Sequence, residues 1–235
     1  ATCRVCMVEV AGRRNLAPAC ATPITPGMEV LTHTPRTISA RRTVVELILS
    51  NHPKNCLTCT KNTNCELQAL AAELSIHDIK YSGEMAQHRM DTSSAALVRE
   101  MSKCVLCRRC ETMCSTVQTV NVLSAIDRGF STTMGTPFNM PITETGCVSC
   151  GQCVAVCPTA ALSEVNNVAK LWNLLTDPDK FVVVQTAPAV RAALGEPFGL
   201  PAGVSVTGKM VAALRELGFD RVFDTDFAAD LTIME

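Results

Sequence analysis

Two stretches, "KCVLCRRCETMCST" (103–116) and "GCVSCGQCVAVCPT" (146–159), carry one cysteine pattern twice. Each cysteine recurs 43 positions later, Cys104 as Cys147 and Cys114 as Cys157. The pattern is C-x2-C-x2-C-x3-C. Three thiolates at this spacing grip three corners of an iron–sulfur cubane from one tight loop, and the fourth of each run points to the other cluster. The expected ligand sets are Cys104, Cys107 and Cys110 with Cys157, and Cys147, Cys150 and Cys153 with Cys114. Structural zinc is the competing reading, but it prefers separated C-x2-C pairs to two unbroken runs. Such a duplication implies one small unit used twice, packed about a pseudo-twofold axis.

Upstream, "NHPKNCLTCTKNTNC" (51–65) supplies only three thiolates, Cys56, Cys59 and Cys65, so a cubane held there is one ligand short. His52 stands four residues ahead of Cys56. A lone histidine before a proline is ordinarily a solvated loop residue. Here no unassigned cysteine is left to complete the set, and imidazole can replace thiolate on iron, which removes a negative charge and raises the potential. His52 is the expected fourth ligand, in the spacing H-x3-C-x2-C-x5-C. His33, His77 and His88 have no cysteine neighbours and read as surface groups.

At the start of the chain, Cys3, Cys6 and Cys20 match the last three ligands of a plant-type 2Fe–2S site, with a structural pair as the alternative. That site needs one more cysteine upstream. The cysteine ligands so counted number fifteen against fourteen cysteines present, and the missing one is expected ahead of residue 1. The opening "ATCRVC" without methionine and the final "DLTIME", inside a helical pattern, both read as cuts in a longer polypeptide.

A secreted disulfide scaffold this rich in cysteine is normally far shorter than 235 residues, and cysteines two or three apart are badly placed to pair with each other. Ligation in a reducing cytosol is expected, hence a cytoplasmic location. A formal net charge of -1 gives no bulk attraction to nucleic acid or a membrane surface. No apolar run is long enough to span a bilayer, and no segment reads as a signal peptide.

Periodicity places a strand and hairpin at "CRVCMVEVAG" and helices at "SARRTVVELILS", "ELQALAAELSI" and "SSAALVREMSKC", the last capped by Ser93 or Ser94. Beyond residue 165 the texture changes. "NNVAKLWNLLTD", "PAVRAALGE" and "GKMVAALRELGF" read as helices, "KFVVVQTA" as a buried strand and "DRVFDT" as a short one. That alternation starts an α/β domain. "GVSVTGKM" (203–210) nearly matches a phosphate-binding loop, but Met210 stands where a hydroxyl is needed, so nucleotide binding is rejected there.

The order of these sites resembles the N-terminal region of multicluster iron-only (diiron) hydrogenases. Parts of it also resemble the large iron–sulfur subunit of respiratory complex I and NAD-linked formate dehydrogenases. "VVVQTAPAVRAALGEPFG" and "TGKMVAALRELGFDRVFDTDFAADLTIME" resemble the opening of the hydrogenase catalytic domain and separate the first family from the others. Pro158 follows Cys157 as in bacterial ferredoxins, whereas Ser115 replaces proline after Cys114.

The resemblance implies an α+β multidomain iron–sulfur protein. Its parts would be a truncated β-grasp 2Fe–2S domain (1–35), a His-ligated 4Fe–4S domain with three cysteines (36–92), a two-cluster bacterial ferredoxin-like domain (93–165) and the start of an α/β hydrogenase catalytic domain (166–235). It implies three 4Fe–4S clusters, one 2Fe–2S cluster with an incomplete ligand set, and an H-cluster whose ligands lie beyond this chain, so no catalytic residue is expected in it. The reaction implied is reversible hydrogen oxidation in an anaerobic setting. The clusters would pass electrons to ferredoxin or to a flavin- and NAD(P)-binding partner subunit. The alternative is a non-catalytic electron-transfer subunit of complex I or formate dehydrogenase type.

Overall fold

Alternation across "MVEV" puts Val8 and Val10 on one face, and in the computed structural model, which describes residues 2–235, both are buried together with Ala17. Strand β1 (Met7–Val10) pairs antiparallel with β2 (Ala17–Pro18) on one side and β3 (Val30–Leu31) on the other. Helix α1 (Pro35–Ser50) packs against β1, with Arg41 Nε donating to the Met7 carbonyl at 3.0 Å. It starts four residues before the periodic stretch. The Thr34 hydroxyl accepts from the Thr37 N–H at 3.2 Å, and Pro35, lacking an N–H, loses nothing in the first turn. It stops at Asn51, ahead of Pro53, as the proline requires. Helix α2 (Glu66–Glu73) follows Cys65 directly.

The stretch expected to be the next helix is instead β4 (Leu97–Arg99) with a short 3-10 turn at Met101–Lys103. The Ser94 hydroxyl does accept from the Ala96 and Leu97 N–H groups, at 3.1 and 3.3 Å, but this turn launches a strand. Long-range pairing wins over local propensity here. β4 lies antiparallel to a strand some 65 residues on, Leu97 opposite Glu164 and Arg99 opposite Leu162, and the buried Arg99 guanidinium meets the Asp91 carboxylate at 3.1 Å.

Helix α3 (Arg109–Thr112) leads into a wider turn at Met113–Val117. The hairpin β5 (Ser124–Ile126) and β6 (Thr133–Gly135) follows, then α4 (Gln152–Ala155) and β7 (Leu162–Glu164), the partner of β4. α3 and α4 are offset by the same 43 positions as the cysteines. The backbone repeats as well. Leu106 and Ser149 have φ of 53° and 54°, and Arg108 and Gly151 have φ of 62° and 73°, all left-handed. Side chains of L-residues resist that region by about 1 kcal/mol or more.

A Cβ on Gly151 would meet nothing within 4 Å, so only the backbone would object. Gly151→Ala is expected to cost about 1 kcal/mol. Arg108→Gly should come out near neutral, since backbone relief of about 1 kcal/mol offsets loss of an exposed ion pair to Glu111. Shifts in the denaturation midpoint of the iron-loaded protein check both.

The chain divides into two units, one ending at Val165 and the other running from Asn166 to Glu235. The core of the first gathers Leu97, Met101, Leu123, Met134, Ile142 and Leu162 around the buried Cys110, Cys153 and Cys157. Thiols take a large share of this interior, because strands of three residues bring few apolar side chains of their own.

The second unit contains α5 (Val168–Leu175), β8 (Val183–Thr186), α6 (Val190–Ala193), α7 (Thr207–Glu216), β9 (Arg221–Asp224) and α8 (Thr225–Met234). β8 and β9 run parallel, from Val183 opposite Arg221 to Thr186 opposite Asp224, which is the crossover that strand–helix–strand alternation implies. β8 is not the buried strand expected from "KFVVVQTA". Its residues alternate between exposed and half-buried, because a sheet of two strands leaves much of each face uncovered among the described residues. Met210 is buried inside α7, so "GVSVTGKM" opens a packed helix and no phosphate loop. No helix among the described residues is long and apolar enough to cross a membrane.

Candidate metal centres

All fourteen cysteines are free thiols, and the structure gathers them in groups. Cys104, Cys107, Cys110 and Cys157 line one cavity, walled by Met101, Met134 and Leu162. Cys114, Cys147, Cys150 and Cys153 line a second, walled by Leu97, Leu123 and Ile142. The fold supplies this exchange of fourth cysteines. Left-handed residues at Leu106 and Arg108, and at Ser149 and Gly151, turn each loop between its first three cysteines. The third cysteine sits in the short helix, and the fourth, just past it, lines the other loop's cavity. Backbone donors also aim at sulfur: the Leu106 N–H reaches Cys104 Sγ at 3.3 Å and the Val122 N–H reaches Cys114 Sγ at 3.3 Å.

A third cavity, of about 420 Å3, is lined by His52, Cys56, Cys59 and Cys65. The C-terminus of α1 positions His52, whose N–H donates to the Leu49 carbonyl at 3.3 Å. Cys65 sits at the N-terminus of α2. Burial and the nearby Lys103 cation hold the imidazole below its ordinary pKa against the opposing Glu100 carboxylate. The neutral ring this favours is the form that binds metal. His77 lines the same cavity, which its sequence context did not suggest. Ser75 makes a left-handed turn after α2, with φ of 52°, and Ile76, His77 and Ile79 beyond it line the cavity.

At the N-terminus, Cys6 and Cys20 lie together, the Cys20 N–H at 3.5 Å from Cys6 Sγ. Burial pushes the Cys6 thiol up, but hydrogen bonds from Cys20 and Ala19 outweigh it and leave it below its ordinary value. Cys3 is within electrostatic reach of Cys20, and also of Cys107 and Arg109.

The repeat cysteines have the chemistry of an iron site. Burial, joined by neighbouring thiolates, pushes Cys104 up to about 11, Cys110 to about 12 and Cys153 to about 11. Crowded, buried thiols ionise at neutral pH only when a cation takes the proton's place. Among the described residues no three His, Cys, Asp or Glu side chains converge tightly enough to hold a single ion. A polynuclear cluster fits wider spacing, since each thiolate meets a different iron. The four thiols on each repeat cavity, three from one run and one from the other, fit an iron–sulfur cluster.

The first and third cavities are joined. The Glu66 N–H donates to the Pro158 carbonyl at 3.1 Å, and Cys65 Sγ lies 3.8 Å from the same oxygen. Arg109, between Cys107 and Cys110, clasps the Glu66 carboxylate through two bonds of 2.6 and 2.8 Å.

Four family models match along the chain. They describe a 2Fe–2S iron–sulfur cluster binding domain at residues 1–35, the NADH-ubiquinone oxidoreductase-G iron–sulfur binding region at 41–80, a 4Fe–4S dicluster domain at 103–161, and the C-terminal domain of the iron-only hydrogenase large subunit at 180–235. The NADP-reducing hydrogenase subunit HndD of Solidesulfovibrio fructosivorans is 60% identical over 100% of this chain and 40% of its own length. Iron hydrogenase 1 of Clostridium pasteurianum is 36% identical over 99% of the chain and 41% of its own length. The mitochondrial NADH dehydrogenase (ubiquinone) iron–sulfur protein 1 of Solanum tuberosum is 32% identical over 68% of the chain and 21% of its own length. An NAD+-reducing NiFe-hydrogenase in the H2-reduced state superposes with a TM-score of 0.63 at 27% identity, over 69% of this chain and 68% of that one.

Fold and matches define the class, an iron–sulfur protein of mixed α and β structure. Within it the chain is of the multicluster iron-only hydrogenase type, because those relatives match its whole length and the hydrogenase-specific domain covers its end. It spans about two fifths of the length of the hydrogenase relatives it matches.

Proposed function

We propose that this chain is the electron-relay region of an iron-only hydrogenase subunit. The reading rests above all on the grouping of donors in one folded unit, with four cysteines on each of two cavities and three cysteines with His52 and His77 on a third. Cys104, Cys107, Cys110 and Cys157 would hold one 4Fe–4S cluster, and Cys147, Cys150, Cys153 and Cys114 its twin. His52, Cys56, Cys59 and Cys65 would hold a third. Cys3, Cys6 and Cys20 would give three ligands to a 2Fe–2S site. Bound clusters supply one-electron steps between the hydrogen-activating centre and an outside carrier.

The chain's own part is to hold these sites close and dry. The Pro158 contacts and the Arg109–Glu66 clasp fix the His52 site beside the Cys104 site, and Cys3 is within electrostatic reach of Cys107. This supports a junction at the Cys104 site, where two branches meet. A carrier linked to NADP is favoured over free ferredoxin, because the relative at 60% identity is named an NADP-reducing hydrogenase subunit. Cysteines clustered for ligation favour a reducing, cytoplasmic setting. Complex I relatives share the cluster regions but cover less of the chain, which favours the hydrogenase reading.

Reconstituted anaerobically, the chain should bind about 12 iron atoms in three 4Fe–4S clusters, with the 2Fe–2S site weak, and should evolve no hydrogen. The longer polypeptide, matured with its diiron site, should exchange hydrogen with a viologen dye. Iron analysis showing mainly zinc, or a loaded long polypeptide without hydrogen chemistry, would sink the proposal.

A further inference from the structure

Lys103 is the one buried lysine among the described residues, at 6% exposure. A lysine that deep is held there by partners, since burying an unpaired ammonium is strongly unfavourable. Its Nζ meets Glu100 Oε2 at 2.7 Å across the single turn Met101–Lys103. Its main chain is pinned too. The Lys103 N–H donates to the Glu100 carbonyl at 3.0 Å, and the Lys103 carbonyl accepts from Thr159 Oγ1 at 2.8 Å. By sequence Lys103 belongs to the Cys104 site, which it immediately precedes. Its side chain, however, lines the cavity of His52, Cys56, Cys59 and Cys65, and Glu100 does not line it.

From this placement we infer that Lys103 sets the reduction potential of the cluster at His52, Cys56, Cys59 and Cys65, as a fixed cation in its wall. The inference rests on the ligation proposed above and adds a residue that no cysteine or histidine pattern reveals. Reduction adds one negative charge to a cluster. A cation held in a low-dielectric wall stabilises that added charge, and net charge near a cluster is among the main controls of its potential. Glu100 opposes the effect without cancelling it, because it does not line the cavity and its side chain is 25% exposed, where water screens it. Lys54 and Lys61 also line the cavity but are exposed and half-buried, so their fields are weaker. Lys103 thus acts in the same direction as the imidazole of His52, and both make this site easier to reduce.

The test is the midpoint potential of the His-ligated cluster, read by redox-titrated EPR on the anaerobically reconstituted chain. His52→Cys serves to identify the signal. Lys103→Met removes the charge at similar volume and should shift that midpoint to more negative values. Glu100→Gln leaves the lysine uncompensated and should shift it to more positive values. Lys103→Arg should stay near wild type. Opposite shifts from the two halves of one ion pair are a charge effect that lost packing would not produce. Shifts of the same sign, or no shift in Glu100→Gln, would overturn the inference even if Lys103→Met failed to hold its cluster. If no signal responds to His52→Cys, the ligation itself falls and this inference with it. If a signal responds there but ignores the lysine and glutamate variants, only the role of Lys103 falls.

Discussion

Cys157→Ser should remove one cubane and spare its twin, lowering iron from about 12 to about 8 atoms per chain. The affected cluster should be the one bound by Cys104, Cys107 and Cys110, although Cys157 lies far closer in sequence to Cys153. The reason is the cavity lining: Cys157 shares walls with the first loop, and Cys114 shares walls with the second. Serine keeps the size but gives a hard oxygen donor. With Cys157 buried in the core, a hydroxyl left unpaired there costs about 1–3 kcal/mol besides. Double variants make the pattern decisive. Cys104→Ser with Cys157→Ser should lose no more iron than either change alone, because both act on one cluster. Cys147→Ser with Cys157→Ser should lose both clusters. The reverse pattern would mean that each run keeps its own cubane.

The repeat was legible because its chemistry is local. Two runs of four cysteines demand a loop and a short helix each, and the 43-residue offset recurs in α3, α4 and the left-handed turns. α1, α2, α7 and the β8–β9 pair were equally readable from apolar period. The misreading at "SSAALVREMSKC" has the opposite origin. Its serine turn and apolar spacing suit a helix, but its partner strand is Leu162–Glu164, and no local signal announces a pairing that distant. His77, read as a surface group, is exposed, yet like Lys103 it lines a cavity that local spacing does not announce. One reaches the His52 cavity through a turn after α2, the other through a buried side chain anchored in a different site. Cysteine spacing shows which residues can bind iron and stays silent about the charges that surround them.

His52→Ala should abolish the third cubane, about 4 iron atoms per chain, and leave the repeat pair intact. Alanine offers no donor, and among the described residues every remaining cysteine lines another site or stands with the N-terminal group. His77→Ala is the control. If His77 were the ligand, the two variants would exchange outcomes, since both imidazoles line the cavity. His52→Cys should keep the cluster and lower its potential, because thiolate adds the negative charge that imidazole withholds. Acid should distinguish the sites too. The folded imidazole sits below its ordinary value, so its neutral form is present above the unfolded value of about 6.5 and is lost only as pH falls through the lower folded one. Iron at this site should therefore be stable at neutral pH and released by protons in acid. In His52→Cys the release should follow thiolate protonation instead and move to a different pH. An EPR-monitored acid titration of wild type and variant reads this directly. Superimposable curves, or third-cluster signals surviving in His52→Ala, would make His52 a bystander at the end of α1.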